Sequence, residues 1–143
     1  MAVREKFEYE LHSAQEQLIT LSTMAIDALD KSMNALIGHD IDKALQVIDA
    51  DADINRLEEE LNDQVILLIA KQSPVATDLR RLIVTIKVAS DMERVGDYAV
   101  NIAKETIRIG KEELLSPIHE IQQMHALATA MLTQVIEAFV EED

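Results

Sequence analysis

Two pairs of oxygen-bearing side chains, each spaced four residues apart, are the groups in this sequence best placed to do chemistry. Glu93 and Asp97 form one pair, in SDMERVGDYAVNIA (90–103). Asp51 and Asn55 form the other, in VIDADADINRLE (47–58). Four residues is just over one helical turn, so each pair projects from one face of a helix. Clustered carboxylates repel one another and resist burial, and a bound cation relieves both costs. Oxygen-only donors suit Mg²⁺, Mn²⁺, Ca²⁺ or iron better than copper, and they disfavour a structural zinc site. Gly96 lies inside the first pair, in a helix interior where glycine costs about 1 kcal/mol relative to alanine. It would admit a neighbouring backbone or a metal's water shell, or serve close helix packing alone.

Helices must hold these pairs. The chain has three glycines and two prolines, and all but Gly96 fall where a helix should stop or start. Gly38 and Gly110 close segments, Pro74 sits in a turn, and Pro117 follows Ser116 as a first helical residue follows its cap. The spacing predicts helices over about residues 5–37, 41–71 (capped by Asp40), 78–109 (capped by Thr77), and from Pro117 onward. The first helix carries the stripe Leu11, Leu18, Leu21, Ala25, Leu29, Met33 and Leu36. The second buries Ala44, Val47, Ile48, Ile54, Leu61 and Val65, and the third Leu79, Leu82, Ile86, Ala89, Val100 and Ile107, with the acidic pairs interrupting both stripes. In an antiparallel hairpin turning at Pro74, Asp51 falls opposite Asp97 and Asn55 opposite Glu93, with Glu58 just beyond. Short connections between helices of roughly 30 residues imply an antiparallel three-helix bundle, an all-α fold. The last helix matches the first at a shift of 103 residues, pairing Ala25 with Ala128, Leu29 with Leu132 and Ala35 with Ala138.

The rest of the sequence narrows the function. Aromatic residues make up 3% and hydrophobic residues 48%, which is the composition of an aliphatic helical core. There are no cysteines, so thiolate metal sites and disulfides are excluded. The net charge of −14, from 27 acidic and 13 basic residues, repels nucleic acid and favours cations or a basic partner, and it also serves solubility. The longest apolar run, VILLIA (65–70), is too short to span a bilayer. No Walker, dinucleotide or H-E-x-x-H motif occurs, and the absence of E-x-x-H disfavours a ferritin-like di-iron oxidase. His12, on a helix face, is the candidate for phosphotransfer against the ordinary reading of a surface histidine. Asp49 and Asp53 read as part of a solvated face. Arg80, Arg81 and Arg94 read as salt-bridge or partner contacts. From the residues alone three readings stand: a metal-binding adaptor, a carboxylate-bridged metallo-oxidase, and a purely structural interaction bundle.

The segments Val47–Glu58, IAKQSPVATDLRRL (Ile69–Leu82) and DMERVGDYAVNIA (Asp91–Ala103) resemble the PhoU family of accessory regulators of bacterial phosphate-specific transport. The likeness runs over about residues 4–143, with E-R-V-G-D and P-x-A-x-D-L-R its specific elements. It implies two tandem three-helix repeats bearing E/D-x-x-x-D pairs that bind metal. Carried onto this chain, Glu93, Asp97, Asp51 and Asn55 become ligands to iron, manganese, magnesium or zinc, and Asn55 departs from the acidic form. The resemblance further implies a cytoplasmic, non-enzymatic negative regulator. It would link the ATPase of a phosphate ABC transporter to a sensor histidine kinase, meeting the membrane only through those partners. The expected organisation is a first repeat over residues 1–110. Residues 111–143 would be a linker and the first helix of a second repeat, truncated because the family pattern continues past Asp143. That helix would leave Ile118, Ile121, Met124, Leu127, Met131, Val135 and Ala138 unpaired, favouring a homodimer or helix-swapped oligomer.

Overall fold

The computed structural model describes residues 2–72, 74, 76–110 and 118–141. They form α1 (Ala2–Gly38), α2 (Ile41–Gln72), α3 (Ala76–Ile109) and α4 (Ile118–Glu141), with no strand among them. Each of the first three helices packs against the other two, and α4 packs against α1 alone among the described residues. The fold is the expected antiparallel three-helix bundle with a fourth helix laid on it.

The α1–α2 turn is short because its residues serve both helices. His39 is left-handed, with φ 53°. The Asp40 N–H reaches back to the Ala35 carbonyl at 2.9 Å and the His39 N–H to that of Leu36 at 3.5 Å, a Schellman closure. Asp40 then caps α2, its Oδ1 accepting the Lys43 N–H at 3.0 Å. Gly38 was the expected stop, yet it is the last residue of α1 and His39 takes the left-handed position. The imidazole offsets that strain by donating from Nδ1 to the Gly110 carbonyl at 3.1 Å, which ties the turn to the end of α3. Gly110 itself has φ 64°, the left-handed stop expected of glycine.

The stripes predicted for α1 and α2 face the core, with Leu29, Leu36 and Ile48 half-buried at their edges. Leu11, Leu18, Leu21, Ala25, Ala44, Ile54, Leu61 and Val65 are all buried. The expected face of α3 is rotated. Its buried line runs through Asp78, Leu82, Thr85, Ala89, Met92, Gly96, Ala99, Ala103 and Thr106, while Leu79, Ile86, Val100 and Ile107 are half-buried at its edge. Small residues let α3 approach its neighbours closely. Thr85 and Thr106 bury at little cost because their hydroxyls donate to Arg81 O at 2.8 Å and Ile102 O at 3.1 Å. The helix starts at Ala76, so Thr77 lies in its first turn and is not its cap. The first-turn acid Asp78 is 3% exposed; Arg4 of α1 donates to its Oδ2 at 2.5 Å and Arg81 lies 3.8 Å from its Oδ1. This ion pair clips the start of α1 to the start of α3. Ser116 and Pro117 lie outside the described residues.

On α4, Leu132, Ile136 and Phe139 pack against the bundle core, and His125 Nε2 meets Asp30 Oδ1 at 3.1 Å. The opposite side is open: Leu127, Met131 and Val135 are 64%, 58% and 53% exposed, and Ala138 is exposed as well. The expected members Ile118, Ile121 and Met124 have side chains outside the described set.

Candidate metal centre

The hairpin of α2 and α3 brings the two predicted pairs to one level. Asp51 and Asn55 are half-buried on α2, Glu93 is half-buried on α3, and Asp97 is exposed one turn further along. The rotation of α3 sets Glu93 and Asp97 at the α2–α3 seam and puts Gly96, one residue away, in the buried contact. Asp51 Oδ1 lies so close to Gly96 that a Cβ there would be 3.3 Å from it. The antiparallel register centred on the Pro74 turn is thus the register of the fold.

Within the α2 pair, Asn55 Nδ2 donates to Asp51 Oδ2 at 3.2 Å. That single bond consumes one oxygen of the carboxylate. Asp51 Oδ1 and Asn55 Oδ1 are both buried and have no hydrogen-bond partner. Buried acceptors without donors are costly, and two of them side by side on one helix turn form a place for a cation or a donor. On the facing side of the seam, Glu93 and Asp97 stand one turn apart on α3, close enough for each to act on the other.

The electrostatics carry the signature of crowded acids. Burial pushes the Asp51 carboxyl above its ordinary range, and the Asp97 charge pushes the same way; the Asn55 hydrogen bond and the charge of Lys104 pull it back. Burial also raises Glu93, reinforced by Asp97 beside it and then by the charges of Glu58 and Asp51. Four carboxylates therefore feel one another at this seam, with Lys104 the cation acting on Asp51. As the side chains stand, no three His, Asp or Glu groups among the described residues are drawn together tightly enough to hold a metal ion. The donor set is chemically suited to a hard cation, but its two halves remain open across the seam. A groove of about 480 Å³ lies elsewhere, lined by Glu10, Glu60, Asp63, Gln64, Leu67, Leu68 and Lys71, and shares no residue with the cluster.

Lys104 escaped the sequence reading, although it lies seven residues after Asp97 and so on the same helical face. The residues read as solvated are so. Asp49 and Asp53 are exposed, Asp53 pairs with Arg56 at 2.9 Å, and His12 is an exposed side chain 3.1 Å from Glu16. Arg94 lies 3.7 Å from Asp91.

Comparison with known proteins agrees with this architecture. A family model described as the PhoU domain matches residues 18–106. The chain belongs to the PhoU family. It is 35% identical over 141 residues to the phosphate-specific transport system accessory protein PhoU homolog of Clostridium acetobutylicum, covering 98% of this chain and 64% of that protein. To the corresponding Aquifex aeolicus protein it is 34% identical over 134 residues, covering 94% and 61%. The crystal structure of PhoU from Pseudomonas aeruginosa superposes with a TM-score of 0.91 at 28% identity, covering 96% of this chain and 66% of that one. The chain thus spans about three fifths of the length of the curated relatives it matches.

Proposed function

We propose that this chain serves as a non-enzymatic, cation-binding adaptor in the control of phosphate uptake. The observation that carries the phosphate-transport reading is the match, along nearly all of this chain, to accessory proteins of phosphate-specific transport systems. In this reading the chain contributes to a negative regulator that links the ATPase of a phosphate ABC transporter to a sensor histidine kinase. No helix among the described residues is long and apolar enough to cross a membrane, which suits a cytoplasmic protein that reaches the membrane through such partners. The test is co-purification of the chain with the isolated transporter ATPase and with the cytoplasmic part of the kinase. Retention of neither would overturn the adaptor role.

The cation is supported by the two orphaned oxygens of Asp51 and Asn55 facing Glu93 and Asp97. A bound Mg²⁺, Mn²⁺ or iron would supply positive charge where four carboxylates crowd, and would draw α2 and α3 together at the seam. Asn55 contributes a neutral carbonyl where a carboxylate would add charge, which lowers affinity for trivalent ions most. Zinc is the least suited of the four metals to this oxygen set. Metal content measured by mass spectrometry on untagged protein tests this. Stoichiometric metal in the parent and none in Glu93→Gln/Asp97→Asn is the expected result; no metal in the parent after incubation with Mn²⁺ or Fe²⁺ removes the site.

The open stripe of α4, Leu127, Met131 and Val135, supports self-association of this chain through a second copy. Light scattering over micromolar concentrations checks it, with a concentration-independent monomer as the contrary result.

A further inference from the structure

Gly96 is the one glycine inside a helix interior of the bundle, at a buried position where alanine would be the better helix former. Close packing of α2 on α3 is the ordinary reason for such a glycine, and the contacts here set a second reason beside it. A Cβ at this position would sit 3.4 Å from Ile54 Cγ2 and 3.5 Å from Ile54 Cδ1. These lie at the near edge of van der Waals contact, so the helix contact takes a methyl group with little or no shift. The tight approach, 3.3 Å, is to Asp51 Oδ1. That oxygen is one of the two buried acceptors without a partner. Turning the carboxylate away would cost the bond that Asn55 Nδ2 donates to its other oxygen at 3.2 Å.

We propose that Gly96 is a positioning residue for the cation site: its missing side chain keeps hydrocarbon off the buried, unpartnered Asp51 Oδ1, so that this oxygen stays available to a ligand. The inference rests on the reading of the Asp51/Asn55/Glu93/Asp97 cluster as a cation site. A methyl group at residue 96 caps Oδ1 with hydrocarbon or displaces it by a few tenths of an ångström. Either change removes one donor from the set while Glu93 and Asp97 remain in place. The packing explanation makes the opposite claim: a methyl would spread the helices and destabilise the fold, with metal affinity lost only as a consequence.

The experiment is calorimetric titration of Mn²⁺ into the parent, Gly96→Ala and Glu93→Gln/Asp97→Asn, with thermal melts of each in EDTA. The expected result is a Gly96→Ala protein whose metal-free melting temperature equals or exceeds that of the parent. Its Mn²⁺ affinity should be about ten- to a hundredfold weaker, the range seen when a group supporting a metal ligand is lost. Equal affinity in the parent and Gly96→Ala overturns the role of Gly96 and leaves the site standing. Absence of binding to the parent, or undiminished binding to the double variant, removes the site and the proposal with it. If Gly96→Ala melts lower, Gly96→Ala/Ile54→Ala, read against Ile54→Ala alone, decides, because it removes both Ile54 atoms that residue 96 would meet, Cγ2 and Cδ1, and leaves Asp51 in place. Affinity that stays below that of Ile54→Ala upholds the proposal, and affinity that returns to it assigns Gly96 to packing.

Discussion

Neutralising the acidic pair on α3 should stabilise the metal-free fold, the reverse of what removing a native ion pair does. Four like-charge interactions converge on Glu93 and Asp97: with each other, Asp97 with Asp51, and Glu93 with Glu58 and Asp51. Like charges one helical turn apart cost about 0.2–0.5 kcal/mol each. Asp97 is exposed, so solvent screens part of this, and the variant Glu93→Gln/Asp97→Asn should gain about 1 kcal/mol at neutral pH. For a chain of this size that is about 3 °C in melting temperature. The pH dependence has a definite sign. Asp51 and Glu93 have folded-state pKa values above their ordinary 3.8 and 4.5, so the folded chain binds protons more tightly than the unfolded one. Stability therefore falls as pH rises from the ordinary values through the raised ones, and the loss is complete above them. The variant's advantage should be full at neutral pH and nearly gone below about pH 4. Mn²⁺ at a hundred times its Kd should add about 2.7 kcal/mol to the parent and nothing to the variant. Thermal melts in EDTA and in Mn²⁺, at several pH values, measure all of this. A variant that melts lower than the parent in EDTA at neutral pH, or gains as much from Mn²⁺, would refute the reasoning.

Other perturbations test the parts that hold the site. Asp78→Ala breaks the clip to Arg4 and should cost about 2 kcal/mol in urea unfolding, between the values for exposed and buried pairs; no loss would mean solvent already outcompetes Arg4. His39→Ala keeps the left-handed residue but loses the bond to the Gly110 carbonyl, an expected loss of about 1 kcal/mol by the same assay. Changing Leu127, Met131 and Val135 together to Gln should leave the circular dichroism helix signal unchanged and abolish self-association in light scattering.

The helices could be read from the sequence because glycine and proline punctuate them and because the α1 and α2 cores are made of large aliphatics. The face of α3 could not. Hydropathy gives weight to Leu79, Ile86, Val100 and Ile107, but much of the buried line of α3 is made of Ala89, Gly96, Ala99 and Ala103. Threonines bury beside them, because a helix can satisfy a hydroxyl internally. Gly38 does close α1, but the left-handed residue beyond it is His39, and the cost of that conformation is met by a partner 71 residues away, which local sequence does not reveal. The level of the site was readable, since a hairpin with a tight turn fixes which residues face each other. Its internal state was not. Which oxygen of Asp51 is bonded depends on the Asn55 amide, and the countercharge of Lys104 on the depth of α3 in the seam.

That rotation of α3 has a chemical consequence. With the face centred as hydropathy suggests, Glu93 would point into the core, where an unpaired carboxylate is untenable. With the face turned away altogether, both acids would be ordinary surface charges, screened and weakly interacting. The observed setting lies between the two. Glu93, Asp51 and Asn55 are half-buried and Asp97 is exposed. Burial strengthens any attraction to a cation by lowering the local dielectric. The exposed Asp97 leaves an approach from solvent. The small residues that draw α3 into the bundle are therefore what place the acids at a depth where they are strained without a cation and reachable by one.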